Sequence, residues 1–270
     1  MLAEEDQQPQ MEEQQQPYDA PLTQVISTSS GKLQGFKDEG NEVEVFLGIP
    51  YAEPPVGSLR FKPTVELYTP DQERLCIEHA PAAPQTAMPF DTLMCVQIDH
   101  QSEDCLYLNI WTPDTVKSKK RPVIVWFHPG ACMSGSSSQP FWDGTNLARN
   151  DAIIVSFNYR LGALGWMSMD HLSSDLKGSG NLGLLDQIAA LKWVQNNIAE
   201  FGGDPNNVTA FGSSAGCKLL LSMDQTHHTH MSPRSYLHYV YHLGREYSRL
   251  IPQDCIAISS HVYGKSSRLG

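Results

Sequence analysis

Asn207-Val208-Thr209-Ala210-Phe211-Gly212-Ser213-Ser214-Ala215-Gly216 decides the fold. Its first five residues read as a strand. Gly212 to Gly216 then spell a G-x-S-x-G turn, in which a sharp strand-to-helix reversal holds a serine hydroxyl above a sheet. Such a short pattern recurs by chance, so the flanking sequence has to supply its context. Upstream, Arg121 to Phe127 reads as a buried parallel strand that runs into the small-residue loop His128-Pro129-Gly130-Ala131. Asp151 to Asn158 is a second apolar run of strand length, rich in β-branched residues, as expected where both faces of a sheet are covered. Between it and the serine turn, Leu184, Leu185, Ile188, Leu191, Val194 and Ile198 recur at helical spacing, and Gly202-Gly203-Asp204-Pro205 ends that helix. Asp204 and Pro205 are read as this terminating turn and not as site residues. The order strand, strand, helix, strand, serine turn predicts an α/β fold with a parallel sheet.

Longer motifs lie in the same order along the chain. They are Phe46-Leu47-Gly48-Ile49-Pro50-Tyr51-Ala52-Glu53-Pro54-Pro55-Val56-Gly57, Leu59-Arg60-Phe61, Ser102-Glu103-Asp104-Cys105-Leu106-Tyr107-Leu108-Asn109-Ile110-Trp111-Thr112-Pro113, Asn158-Tyr159-Arg160-Leu161-Gly162-Ala163-Leu164-Gly165 and Gly180-Asn181-Leu182-Gly183-Leu184-Leu185-Asp186-Gln187. On these residues the stretch from 24 to about 217 resembles the N-terminal part of a type-B carboxylesterase. This α/β-hydrolase family also holds the cholinesterases and the non-catalytic neuroligins. The resemblance implies an incomplete α/β-hydrolase fold, the N-terminal half of the sheet up to the nucleophile elbow. It implies Ser214 as the nucleophile that forms an acyl-enzyme, with the backbone amides of Gly130, Ala131 and Ala215 as the oxyanion hole. The implied substrate is a small-molecule carboxylic ester, with no cofactor and no metal. Use of the same fold for binding without catalysis is the alternative.

The chain departs from the family pattern at several positions. Three glycines usually follow the strand, whereas here Pro129, Gly130 and Ala131 stand there. Proline lacks an N–H and fixes φ, and alanine restricts the backbone relative to glycine. Ser213 replaces the usual glutamate before the nucleophile, and Ala210 a branched aliphatic residue. Ala83 occupies the site of the cysteine that relatives pair with the one matching Cys105, leaving Cys76 or Cys95 as substitute partners. Residues 79 to 104 hold no tryptophan, so a choline-ester specialist is not expected. The resemblance pairs Arg60 with Glu103 and Arg160 with Asp186, read as buried architectural ion pairs. His128 is read as positioning the oxyanion loop, not as the general base.

Three units are expected: a disordered Gln/Glu-rich extension at 1–22, a partial esterase domain at 23–222 and an unmatched tail at 223–270. Residues 1 to 20 hold six glutamines, six acids and no Lys or Arg. Fifty-four residues follow the serine motif, and six of the ten histidines fall among them. A full domain supplies its acid and histidine far downstream of the serine. In this tail only Glu246, Asp254 and His261 imitate that order, so a truncated product with little turnover is expected. His227, His228 and His230 lack a Cys or acid cluster and are read as a solvated tail, not a metal site. The net charge of −11 shows no basic patch for nucleic acid. No segment has the form of a signal peptide and no apolar run reaches membrane-span length. The oligomeric state stays open. Asn207-Val208-Thr209 fits the glycosylation pattern but is read as coincidental and poorly accessible, because it leads into a strand.

Overall fold

The structure, a computed structural model, describes residues 20–86, 98 and 100–216. The extension up to residue 19 and the tail expected at 223–270, with all of its histidines and acids, lie outside them. Among the described residues, short β-branched and aromatic runs form nine strands in two sheets. They are β1 (Ile26–Thr28), β2 (Gly31–Gln34), β3 (Phe36–Asp38), β4 (Val43–Pro50), β5 (Glu73–Leu75), β6 (Tyr107–Thr112), β7 (Arg121–Phe127), β8 (Ile153–Phe157) and β9 (Gly203–Gly212). A small sheet has the order β1-β2-β5, and the main sheet the order β3-β4-β6-β8-β7-β9.

The parallel sheet read from the sequence is half right. β7 pairs in parallel with both β8 and β9, while β3, β4, β6 and β8 form an antiparallel run. The division follows the connections. A tight turn in which Asn41 N–H donates to Asp38 O joins β3 to β4, and short turns enforce antiparallel neighbours. The parallel strands are joined through helices: α1 (Thr145–Ala148) before β8, then α2 (Gly162–Trp166) and α3 (Leu182–Asn197) before β9.

Both faces of the main sheet are covered, as the apolar runs predict. Alternation along the strands sends Val123, Val125, Phe127, Ile153, Val155 and Phe157 to the larger core, with Ala190, Leu191, Val194 and Ile198 packed there. Ile154 and Trp111 turn to the opposite face, with Val43, Val45 and Ala148. The expected helix forms as α3 and runs into a 3-10 turn at Ile198–Phe201. Leu184, Leu185 and Ile188 are only half-buried, however, while Asp186, Gln187 and Asn197 are buried. Apolar spacing misses Asp186 and Asn197 because their burial rests on hydrogen bonds, whereas the buried Gln187 amide has no partner among the described residues. Asn197 Oδ1 accepts from Ser29 N–H at 2.9 Å, and Trp193 Nε1 donates to Ser30 Oγ at 2.7 Å. These bonds lock the β1–β2 hairpin to the helix that leads to the serine.

The end of that helix corrects a second expectation. Gly202, left-handed at φ +85°, is the terminator. Asp204 and Pro205 belong to the first part of β9, where pairing with β7 slips from Arg121–Gly203 to Val123–Val208. Asn207 lies in this bulge and is exposed, not poorly accessible as its strand position suggested. Cys76 and Cys105 are buried thiols with no disulfide between them, and burial pushes the Cys76 thiol up to about 12 and Cys105 in the same direction. Cys95 lies outside the described residues.

Candidate active site

β7 and β9 are parallel neighbours whose last residues, Phe127 and Gly212, are register partners. The loop starting at His128 and the turn starting at Ser213 therefore leave the same end of the sheet side by side. Gly216 closes the gap between them, since a Cβ there would stand 2.3 Å from Phe127 O. Ser214 sits at φ +51°, exposed, in a turn closed by Gly216 N–H donating to Ser213 O at 3.0 Å. A left-handed serine is uncommon and costs about 1–2 kcal/mol, which marks the strained elbow that the motif demands.

The loop after β7 is strained over a longer stretch. Gly130 has φ +124°, and Ala131 and Cys132 are left-handed at +53° and +61°. Only glycine fits at 130, because a Cβ would lie 1.9 Å from Ser134 O. Gly130 O accepts from the N–H groups of Met133 (2.8 Å) and Ser134 (2.9 Å), which folds the loop into a tight turn. The amides of Gly130, Ala131 and Ala215 find no acceptor among the described residues. The structure thus brings the four expected residues, Ser214, Gly130, Ala131 and Ala215, to the same end of the sheet. It also shows how the two substitutions for glycine are accommodated: Pro129 precedes the left-handed stretch and Ala131 lies within it.

His128 is buried, stacks on Tyr159 with ring centroids 4.3 Å apart, and places Nδ1 2.8 Å from Pro129 O. Burial lowers its pKa to about 4, against a smaller opposing effect of the Pro129 bond, so the ring is neutral at pH 7. Its Nε2 has no partner among the described residues. The ring holds the start of the loop, and Tyr159 OH donates to His128 O at 2.9 Å from beneath.

Amide and hydroxyl side chains fasten the rest of the loop. Asn158 Oδ1 accepts from Ser137 N–H at 2.8 Å and from Ser136 Oγ at 3.2 Å, while its Nδ2 donates to Pro81 O at 3.0 Å. Asn109 Nδ2 lies within 3.2 to 3.3 Å of Ser137 O, Ser137 Oγ and Ser156 Oγ. Gln85 bonds Gly135 through both ends of its side-chain amide. No local pattern signals these contacts, because each partner lies 21 or more residues away along the chain. A cavity of about 450 Å³ opens beside the loop, lined by Gln85, Gln101, Met133 and the Leu161-Gly162-Ala163-Leu164 turn, among others.

The two expected ion pairs behave differently. Arg160 and Asp186 are buried, with Arg160 Nε and Nη2 each 2.8 Å from a carboxylate oxygen. Asp186 also accepts from Arg160 N–H and Thr64 Oγ1. Arg60 and Glu103 do meet, Nε to Oε2 at 2.5 Å, but their side chains are 45% and 28% exposed, which corrects the expected burial. Arg60 follows an exposed 3-10 turn at Gly57–Leu59, so no layer covers it. Among the described residues no group of three or more His, Cys, Asp or Glu could hold a metal, and no helix is long and apolar enough to cross a membrane.

Comparison with known proteins extends this geometry. The model of the carboxylesterase family matches residues 22–235, past the point near Cys217 where the motif resemblance ends. A para-nitrobenzyl esterase of Bacillus subtilis is 47% identical over 197 residues, covering 72% of this chain and 38% of the relative. A fumonisin B1 esterase of Sphingopyxis macrogoltabida is 44% identical over 202 residues, covering 73% and 36%. Among solved structures, a Geobacillus stearothermophilus carboxylesterase superposes with TM-score 0.67 at 42% identity, over 77% of this chain and 42% of that one. The chain therefore spans well under half the length of these relatives. From the shared strands, the serine elbow and the family match together, the chain belongs to the carboxylesterase family and carries the N-terminal part of its α/β-hydrolase fold.

Proposed function

We propose that this chain bears the nucleophile and oxyanion hole of a serine carboxylesterase. Ser214 Oγ attacks the ester carbonyl, losing its proton to a base. The amides of Gly130, Ala131 and Ala215 hold the resulting oxyanion. The alkoxide leaves as the protonated alcohol, and water then releases the acid from the acyl-serine. The observation that carries this reading is the meeting of the strained Ser214 turn and the strained 130–132 loop at the paired ends of β9 and β7. The relatives named above are esterases, which favours catalysis over the alternative of an esterase-like binding protein. Their names specify different esters, so the substrate class assigned here is carboxylic ester without further choice.

His128 does not supply the base, because its ring is buried and engaged with Pro129 O. Glu246, Asp254 and His261 lie outside the described residues. Little steady-state hydrolysis of p-nitrophenyl acetate is expected of the 270 residues, because no described histidine or carboxylate is bonded to Ser214. Acylation is the step to measure: an oxyanion hole without a working triad still gives about 10³–10⁴-fold acceleration over water. The test is intact-mass detection of labelling by a fluorophosphonate, with Ser214→Ala as control. A single adduct that disappears in Ser214→Ala is expected. A folded sample that takes no label, or takes it equally in the variant, would overturn the reading.

A further inference from the structure

Gly135 carries the most directional contact made to the oxyanion loop. Gln85 Oε1 accepts from Gly135 N–H at 2.7 Å, and Gln85 Nε2 donates to Gly135 O at 2.9 Å and to Ala83 O at 3.0 Å. One side-chain amide thus satisfies both polar groups of one residue, as a neighbouring strand would. The far end of the loop is thereby fixed from a segment 50 residues away. Gly135 in turn has no freedom to move against the start of the loop. At φ +110° it packs so closely that a Cβ would stand 2.5 Å from both His128 Nδ1 and Pro129 O. Gly130 O accepts from the N–H of Ser134, the residue before Gly135. A displacement of Gly135 is therefore passed directly to Pro129, Gly130 and Ala131.

Gln85 is itself held. Its N–H donates to Gln101 Oε1 at 2.8 Å, Ala82 forms an isolated bridge with Gln101, and Asn158 Nδ2 ties Pro81 to the sheet. Ala83 stands where a disulfide would otherwise fasten this segment by the family resemblance, so polar contacts carry the anchoring here. We propose that Gln85 is a positioning residue for the oxyanion hole, acting through its paired bonds to Gly135. The proposal rests on the esterase reading for its functional meaning, while its structural content stands alone.

The test uses the full chain with Gln85→Ala, Gln85→Glu and the wild type, and two readouts. The first is hydrogen exchange by mass spectrometry of the peptide spanning 128–136, with β9 as internal reference. The second is the rate of fluorophosphonate labelling at Ser214. Removing two net hydrogen bonds is expected to speed loop exchange and slow labelling by about tenfold each, with β9 exchange unchanged. Gln85→Glu supplies a pH signature that general destabilisation lacks. The carboxylate places negative charge against Gly135 O and Ala83 O, whereas the carboxylic acid both accepts and donates and so restores the clamp. Its loop exchange, relative to wild type at the same pH, is expected to return to the wild-type rate as pH falls through the glutamic acid pKa. Unchanged loop exchange in Gln85→Ala, or an equal rise in β9, would overturn the proposal. A wild type that takes no label would sink the esterase reading and leave the positioning claim to be decided by exchange alone.

Discussion

Acidification should weaken this protein through His128, by an amount that follows from its surroundings. The ring is 1% exposed, Nδ1 is occupied by Pro129 O, and among the described residues Nε2 has no acceptor for the N–H of a second proton. Its pKa falls from the ordinary 6.5 to about 4 in the folded chain, chiefly through burial. Between those values the unfolded chain binds the proton and the folded chain refuses it. Stability is therefore complete above pH 6.5, declines as pH falls toward 4, and loses nothing further from this group below that. At about 1.4 kcal/mol per pH unit the loss amounts to about 3 kcal/mol, a large share of the about 5–15 kcal/mol typical of a domain. His128→Phe keeps an aromatic ring against Tyr159 and removes the titration. It also gives up the Pro129 bond, so it should start about 1 kcal/mol less stable at pH 7. Urea unfolding followed by tryptophan fluorescence at pH 7, 6, 5 and 4 separates the two. Wild type should lose about 3 kcal/mol more than the variant over this range. Equal losses would show that the proton enters elsewhere and that His128 is not the acid-sensitive group.

The remaining expectations concern the ion pairs and the two strained turns. Asp186→Ala leaves the Arg160 guanidinium buried without its carboxylate and should cost about 3–5 kcal/mol in urea unfolding; Arg60→Gln, at the exposed pair, should leave the midpoint close to wild type. Gly216→Ala drives a methyl into Phe127 O and should abolish fluorophosphonate labelling even where circular dichroism shows a folded chain. Ala131→Gly relieves a left-handed alanine, a gain of about 1–2 kcal/mol offset by about 0.5–1 kcal/mol of added chain entropy. A small rise in stability and unchanged or faster labelling are expected, and a marked loss of either would mean that the alanine methyl makes a necessary contact.

The sequence was most legible where a residue acts through its own backbone or apolar side chain. β7, β8 and the elbow follow from β-branched runs and from glycines, which report conformation locally. The antiparallel half of the sheet was not read from the sequence, because strand direction depends on how connections close in space. Apolar spacing found α3 but not its buried face, since Asp186 and Asn197 are interior by virtue of their bonds to Arg160 and Ser29. Arg60 and Glu103 were matched correctly as partners, yet nothing in a motif states whether a third layer covers the pair. Gln85 escaped altogether: its role resides in a glycine 50 positions on, and an isolated glutamine carries no local pattern.

The bonds from Ser29 and Ser30 to Asn197 and Trp193 also bear on how the chain is made. Ser29 and Asn197 are separated by 168 positions, so the β1–β2 hairpin leaves the ribosome long before the helix that becomes its lasting partner. At about 5–20 residues per second that interval is roughly 10–30 s. During it the inward faces of β4 and β6 lack the helix that covers the larger core. Nascent chains stalled before and after Asn197 should therefore differ sharply in their resistance to protease, with the change falling just upstream of the serine.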